Sequence, residues 1–200
     1  MTEQNRIIRV QYCKENLAYY RDGPGRFSEI ITGDETWFYY RNIGRKASNA
    51  SWVAEGETPK TVVRRSQFER KTMFIIFFRS NGMVHVDAVP RGETIDANYY
   101  IQNGLTPAFK ELEKQRKQYG TKNIKLLHDN AKCHANEKVY NFLEKHGVKL
   151  IKHPPYSPDL APCDFWLFDF IKRNLESYED EESLLSAVTA ILRNIAEKRV

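Results

Sequence analysis

Ile124-Lys-Leu-Leu-His-Asp-Asn130 is a short apolar run that stops on a charge, and its neighbours decide the fold. Before it, Ile101, Leu105, Phe109 and Leu112 recur at every third or fourth position behind a capping Asp96. That is the pattern of a helix burying one face, and it ends near Tyr119-Gly120. After the run, Ala135, Val139, Phe142, Leu143 and His146 mark a second helix face, closed by Gly147, and Val148–Ile151 is strand-like again. The run therefore reads as a compact strand between two crossover helices.

Upstream the period changes from helical to extended. Thr36–Tyr40 is aromatic and suits a strand, with Ser51-Trp52-Val53 as a candidate partner. Thr72–Arg79 reads as a buried strand, turned by Ser80-Asn-Gly82 into an antiparallel return over Met83–Val89. Downstream, a proline-rich connection leads to a helix over Cys163–Leu175, then to one carrying Leu184, Val188, Ile191 and Ile195. This order predicts an α/β fold, a mixed five-stranded sheet flanked by helices. Residues 5–20 are weakly helical up to the break at Asp22-Gly-Pro-Gly25, so 1–27 is assigned as a helix and linker and 28–200 as one domain. Glu55–Arg70 is charged and aperiodic, the mark of a long inserted loop.

The chain has 200 residues, 41% hydrophobic and 28% charged, which excludes extended disorder. Its longest apolar run, Met73–Phe78, is too short to span a bilayer, and Met1–Arg6 lacks the apolar core of a signal peptide. No membrane partner is expected. Cys13, Cys133 and Cys163 are odd in number and widely spaced, which fits a reducing, intracellular compartment. Without a Cys-x-x-Cys pair, a zinc site from Cys133, His134, His153 and Cys163 is disfavoured. Lys and Arg exceed Asp and Glu by 31 − 26 = 5, and the excess is clustered. Lys60, Arg64, Arg65, Arg70 and Lys71 form one group; Lys110, Lys114, Arg116, Lys117, Lys122 and Lys125 form another. Such stripes suit a polyanion, nucleic acid first, and equally suit solvated faces.

The chemistry rests on Asp34, Asp129 and Asp164. Each has a local alternative: Asp34 follows Gly33 and fits a turn, while Asp129 and Asp164 fit helix caps. Asp159, in a Ser-Pro-Asp turn, and Asp169, further along its helix, compete for the third place. Taken together, three hard oxygen ligands on separate elements are what a protein needs to hold two divalent cations beside a phosphodiester. Glu35, next to Asp34 on an extended strand, is expected on the opposite sheet face. His128 and Asn130 flank the second acid, placed to orient it or the DNA, and His128 equally reads as a residue packed on the sheet.

Ile31-Thr-Gly-Asp-Glu-Thr-Trp37, His128-Asp-Asn-Ala131 and His153-Pro-Pro-Tyr-Ser-Pro-Asp-Leu-Ala-Pro162 resemble the signature blocks of mariner-family transposases. Ser51-Trp-Val53 and Val89–Ile95 resemble further family segments, so the likeness covers most of the chain. The resemblance implies a ribonuclease-H-like fold with Asp34, Asp129 and Asp164 as the catalytic, metal-binding triad for two Mg2+ or Mn2+ ions. It implies DNA as the substrate rather than a small molecule, cleavage at element ends, insertion at TA dinucleotides and a homodimer holding both ends. Residues 44–71 would match a clamp loop reaching the partner subunit, with Trp52 as a dimer contact. Lys60, Arg64, Arg65, Arg70 and Lys71 would meet DNA phosphates without reading sequence. Nuclear residence follows from the substrate alone. The family's paired helix-turn-helix modules have no counterpart in the 27 residues before the resembling region. The alternative reading is therefore a non-catalytic DNA-binding or dimerisation remnant; a nuclease of RNA–DNA hybrids is a third.

Overall fold

The computed structural model describes residues 1–22, 25–43, 53–57, 66 and 68–197. Ser51, Trp52, Lys60, Arg64 and Arg65, with most of the expected 44–71 insertion, lie outside the described residues.

A helix, α1 (Glu3–Leu17), precedes the sheet. The strands are β1 (Ile30–Tyr39), β2 (Lys71–Arg79), β3 (Gly82–Val89), β4 (Lys125–Leu127) and β5 (Lys149–Leu150), in the spatial order β3-β2-β1-β4-β5. The β1, β2 and β3 neighbours are antiparallel, whereas β4 runs parallel to both β1 and β5. Helix α2 runs through Ala97–Tyr99, a wide turn at Tyr100–Leu105 and Thr106–Gln115, and α3 is Glu137–Lys145. Helix α4 opens at Cys163–Leu167 and continues over Phe168–Asn174, and α5 is Glu181–Glu197. The sequence expectation of a mixed five-stranded sheet holds. No helix among the described residues is long and apolar enough to cross a membrane.

Each sheet face buries one set of alternating side chains. Ile31, Ile75 and Phe77 pack with α2 and α3 through Tyr100, Leu105, Phe109, Val139 and Leu143. Phe38, Phe74 and Ile76 pack on the other face with Leu167 and Ile171 of α4 and Leu184, Val188 and Leu192 of α5. The wide turn in α2 has a cause. Pro107 has no N–H to offer the Asn103 carbonyl four residues back, and His85 Nε2 on β3 lies 2.8 Å from that oxygen instead.

The turn that was the local alternative for Asp34 does not form. Gly33-Asp34 looks like a turn in sequence, yet both lie inside a single ten-residue strand. Phe77, paired with Gly33 across the sheet, lays its ring where a side chain would be, and a Cβ at position 33 would stand 2.3 Å from Phe77 Cε1. Glycine is there to admit an aromatic ring, not to bend the chain.

Candidate active site

Strand pairing brings two of the three aspartates together. On parallel β1 and β4, Thr32 stands opposite Leu127, and two residues further along each chain come Asp34 and Asp129. The third arrives on α4. Cys163 is buried against β1, its Sγ 4.0 Å from Thr32 Oγ1, and Asp164 is the next residue, in the first turn of the helix. Lys172, two turns on, donates to Thr36 Oγ1 at 3.0 Å, so α4 lies along the face of β1 from which Asp34 projects. The local alternatives fall away. Asp164 makes no capping hydrogen bond, and α3 is capped by Asn136 rather than Asp129. Asp159 sits in a short 3-10 turn and pairs with Arg9 of α1 at 2.8 and 2.5 Å, while Asp169 pairs with Arg173.

The acids feel one another. Burial, then the charge of Glu35, and then those of Asp164 and Asp129 push the Asp34 carboxyl up to about 7. Burial and then Asp129 raise Asp164. Asp129 moves the other way, held below the usual carboxylate range first by its hydrogen bond from His134. Its Oδ1 accepts from Ala131 N–H at 2.9 Å and lies 2.8 Å from His134 Nδ1. Asp34 Oδ1 accepts from Glu35 N–H at 2.8 Å.

His134, which the sequence offered only as a disfavoured zinc ligand, ties two of the acids together. It is fully buried, with Nδ1 against Asp129 and Nε2 3.1 Å from Glu35 Oε1. Two carboxylates accept from one ring, so both nitrogens carry protons. Burial alone would strip one, but the bonds to Asp129, Cys133 and Glu35 outweigh it and raise the ring to about 12. Glu35 thus lies on the face opposite Asp34, as expected, yet is tied to the same site through this imidazolium. His128 stacks on His134 at 4.7 Å and lies 2.9 Å from the Tyr100 hydroxyl; burial and the neighbouring His134 charge push it down to about 3, so it is neutral. It packs, as one of its two readings proposed. Asn130 donates to the His153 carbonyl at 2.9 Å, pinning the connection that leads to Asp164. In sequence, the only trace of this role of His134 is its place five residues after Asp129, within an irregular turn that has no period to read.

The donor set suits hard divalent cations rather than zinc. Cys163 is sealed in the core, its thiol pushed well up by burial. Among the described residues no three His, Cys, Asp or Glu side chains already converge on ligand geometry. The aspartates share a half-buried site without forming a closed cage. Crowded carboxyls with raised affinity for protons are what a dication would reverse, because its charge outweighs their mutual repulsion. Of the expected phosphate contacts, Arg70 donates to the Glu179 carbonyl at 2.7 Å and lies over the Tyr40 ring, and Lys71 lies over Trp37. Neither reaches the aspartates through a described contact.

A family model described as "Transposase (partial DDE domain)" matches residues 43–126, the segment between the first and second aspartates. The Mariner Mos1 transposase of Drosophila mauritiana is 31% identical over 192 residues, covering 92% of this chain and 54% of that protein. The chain belongs to the mariner transposase family. Histone-lysine N-methyltransferase SETMAR of Homo sapiens is 33% identical over 179 residues, which is 88% of this chain and 25% of SETMAR. The crystal structure of the Mos1 mariner paired-end complex with Mn superposes with a TM-score of 0.85 at 28% identity, over 97% of this chain and 56% of that one. The mixed sheet is therefore the ribonuclease-H-like fold of mariner catalytic domains. This chain spans about half the length of Mos1 transposase and a quarter of SETMAR.

Proposed function

We propose that this mariner-family domain is a metal-dependent core that cleaves DNA at element ends and joins strands into target DNA at TA dinucleotides. The observation that carries the reading is the register of β1 and β4 with the docking of α4, which puts Asp34, Asp129 and Asp164 at one end of the sheet. These three side chains would hold two Mg2+ or Mn2+ ions. Bound there, such ions supply an activated nucleophile and stabilise the departing oxygen in an in-line displacement at phosphorus.

The chain's own residues prepare the site. Asp129 has one oxygen fixed by Ala131 N–H and His134, and Asp34 has one fixed by Glu35 N–H, so each carboxylate is oriented before any ligand arrives. His134 shares its single positive charge between Asp129 and Glu35 from behind, and Lys172 and His153 only partly offset the crowding that raises Asp164. Asn130 holds the proline-rich connection against the end of β4. DNA as substrate, a homodimer that holds both ends, residues 44–71 as its clamp and residence in the nucleus belong to the same proposal. Support comes from the Mos1 structures, which are paired-end complexes, one with the left transposon end and others with Mn or Mg.

The test is nicking of supercoiled plasmid with Mn2+, Mg2+ or EDTA by the wild type and Asp129→Ala. Divalent-dependent nicking that disappears in the variant is expected. Cleavage that persists in EDTA or in Asp129→Ala overturns the reading, and a folded wild type with no nicking and no metal binding favours the non-catalytic remnant. Light scattering with and without DNA tests the dimer.

A further inference from the structure

At the other end of β1 and β4 lies a polar cleft of about 580 Å³. The Ile30–Lys125 pair marks that end, and Asp34 is four residues along β1 from it, about 13 Å at ~3.3 Å per residue. Four cationic side chains reach the cleft from separate places: Arg26 before β1, Arg79 at the end of β2, Arg116 after α2, and Lys125 at the start of β4. Among the described residues Glu29 is the one acid in its lining, and Lys125 Nζ already lies 3.5 Å from it.

Two of these cations are placed for a ligand. Arg116 Nη1 donates to the Gly120 and Lys122 carbonyls at 2.7 and 3.1 Å, so the guanidinium is fixed by the turn that follows α2. Arg79 has a buried Nε with no acceptor among the described residues. Burial, and then the neighbouring Arg116 charge, hold its pKa below the ordinary guanidinium value. Native proteins seldom leave a buried donor unpaired, and seldom leave it beside a like charge. Two guanidinium groups that line one cleft and feel each other's charge match the acceptor-rich phosphate group.

We propose that this cleft binds a phosphate group, held by Arg79 and Arg116 with Arg26 and Lys125 adding charge. The ligand is a backbone phosphate of DNA or a free polyphosphate. The DNA source rests on the transposase reading; the anion site does not.

Pyrophosphate titrated calorimetrically into the whole chain in EDTA should bind saturably at one site. Arg79→Gln should weaken it at least tenfold and the exposed Arg26→Gln about threefold, with circular dichroism checking that both fold. Binding that does not saturate, or that neither substitution changes, overturns the proposal. A second arm measures duplex DNA affinity against salt. Should DNA supply the phosphate, the slope of log K against log salt falls by about 0.9 for each phosphate that Arg79→Gln no longer neutralises. An unchanged slope with pyrophosphate binding abolished upholds the site and assigns it to a free polyphosphate. The nicking assay reads the aspartates alone, so failure there leaves this test intact.

Discussion

Where β4 ends, Asp34, Asp129 and Asp164 crowd beside Glu35; where β4 begins, Arg26, Arg79, Arg116 and Lys125 face a polar cleft. Both ends hold more like charge than the chain itself neutralises, but they bear it differently. At the acidic end one internal cation, His134, is shared by Asp129 and Glu35, and burial leaves Asp34 with a pKa of about 7. At the basic end Arg116 rests on carbonyls and Lys125 on Glu29, while Arg79 keeps a buried N–H unpaired among the described residues. The contrast teaches that a parallel strand pair can present two separate ion sites of opposite sign, one for cations and one for anions.

Removing a ligand should break the acidic end most. Metal charge stabilisation is worth several kcal/mol, so at about 1.4 kcal/mol per decade Asp129→Ala should lower divalent-dependent nicking by about 10³-fold or more. A plasmid assay reads it, and pyrophosphate binding at the basic end should not move. Failure at both ends would mean that the substitution unfolds the domain and that the two sites are not independent.

Acid should act next. The folded pKa of Asp34, about 7, lies above its ordinary 3.8, so the proton favours the metal-free fold. That contribution is complete below 3.8 and lost as pH rises through 7. A cation needs the same group ionised, so Mn2+ affinity should fall by up to about tenfold for each pH unit below 7. Calorimetry at pH 7.5, 6 and 5 measures this, and an affinity independent of pH would remove Asp34 from the site.

Much of this was legible before any coordinates. Aromatic and apolar runs, turn residues and helical spacing laid out the strands and helices in order, and the blocks around Asp34, Asp129 and Asp164 singled out the acids. The sequence did not show that Gly33 sits inside a strand, because its reason is a ring on Phe77, 44 residues away. Nor did it show the role of His134, whose partners Glu35 and Asp129 come from two strands joined only by folding. The second basic group, Lys110 to Lys125, looked like a single stripe. Folding takes Arg116 and Lys125 from it and adds Arg26 and Arg79.

His134→Ala probes the internal cation. It leaves Asp129 without its imidazole donor and Glu35 half-buried without that partner, so Mn2+ affinity should drop about 10- to 100-fold, the usual effect of removing a residue that orients a ligand. His134→Gln, which keeps one donor, should fall between. Manganese titration followed by electron paramagnetic resonance reads both. Equal affinities in all three proteins would make His134 a packing residue only.

The smallest change tests how rigidly the acidic end is built. Gly33→Ala places a methyl 2.3 Å from Phe77 Cε1, in a core where that ring packs against Tyr100 and Gly104 also closes on it. The ring has to shift, and overpacking of this kind costs about 1–3 kcal/mol. Because Gly33 adjoins Asp34, the shift should move the carboxylate and weaken Mn2+ a few fold, while pyrophosphate at Arg79, two residues along β2 from Phe77, should weaken less. Urea unfolding gives the stability and the two titrations give the ends. If pyrophosphate weakens as much as manganese, β1 and β2 transmit strain along their length and the two ion sites are one mechanical unit.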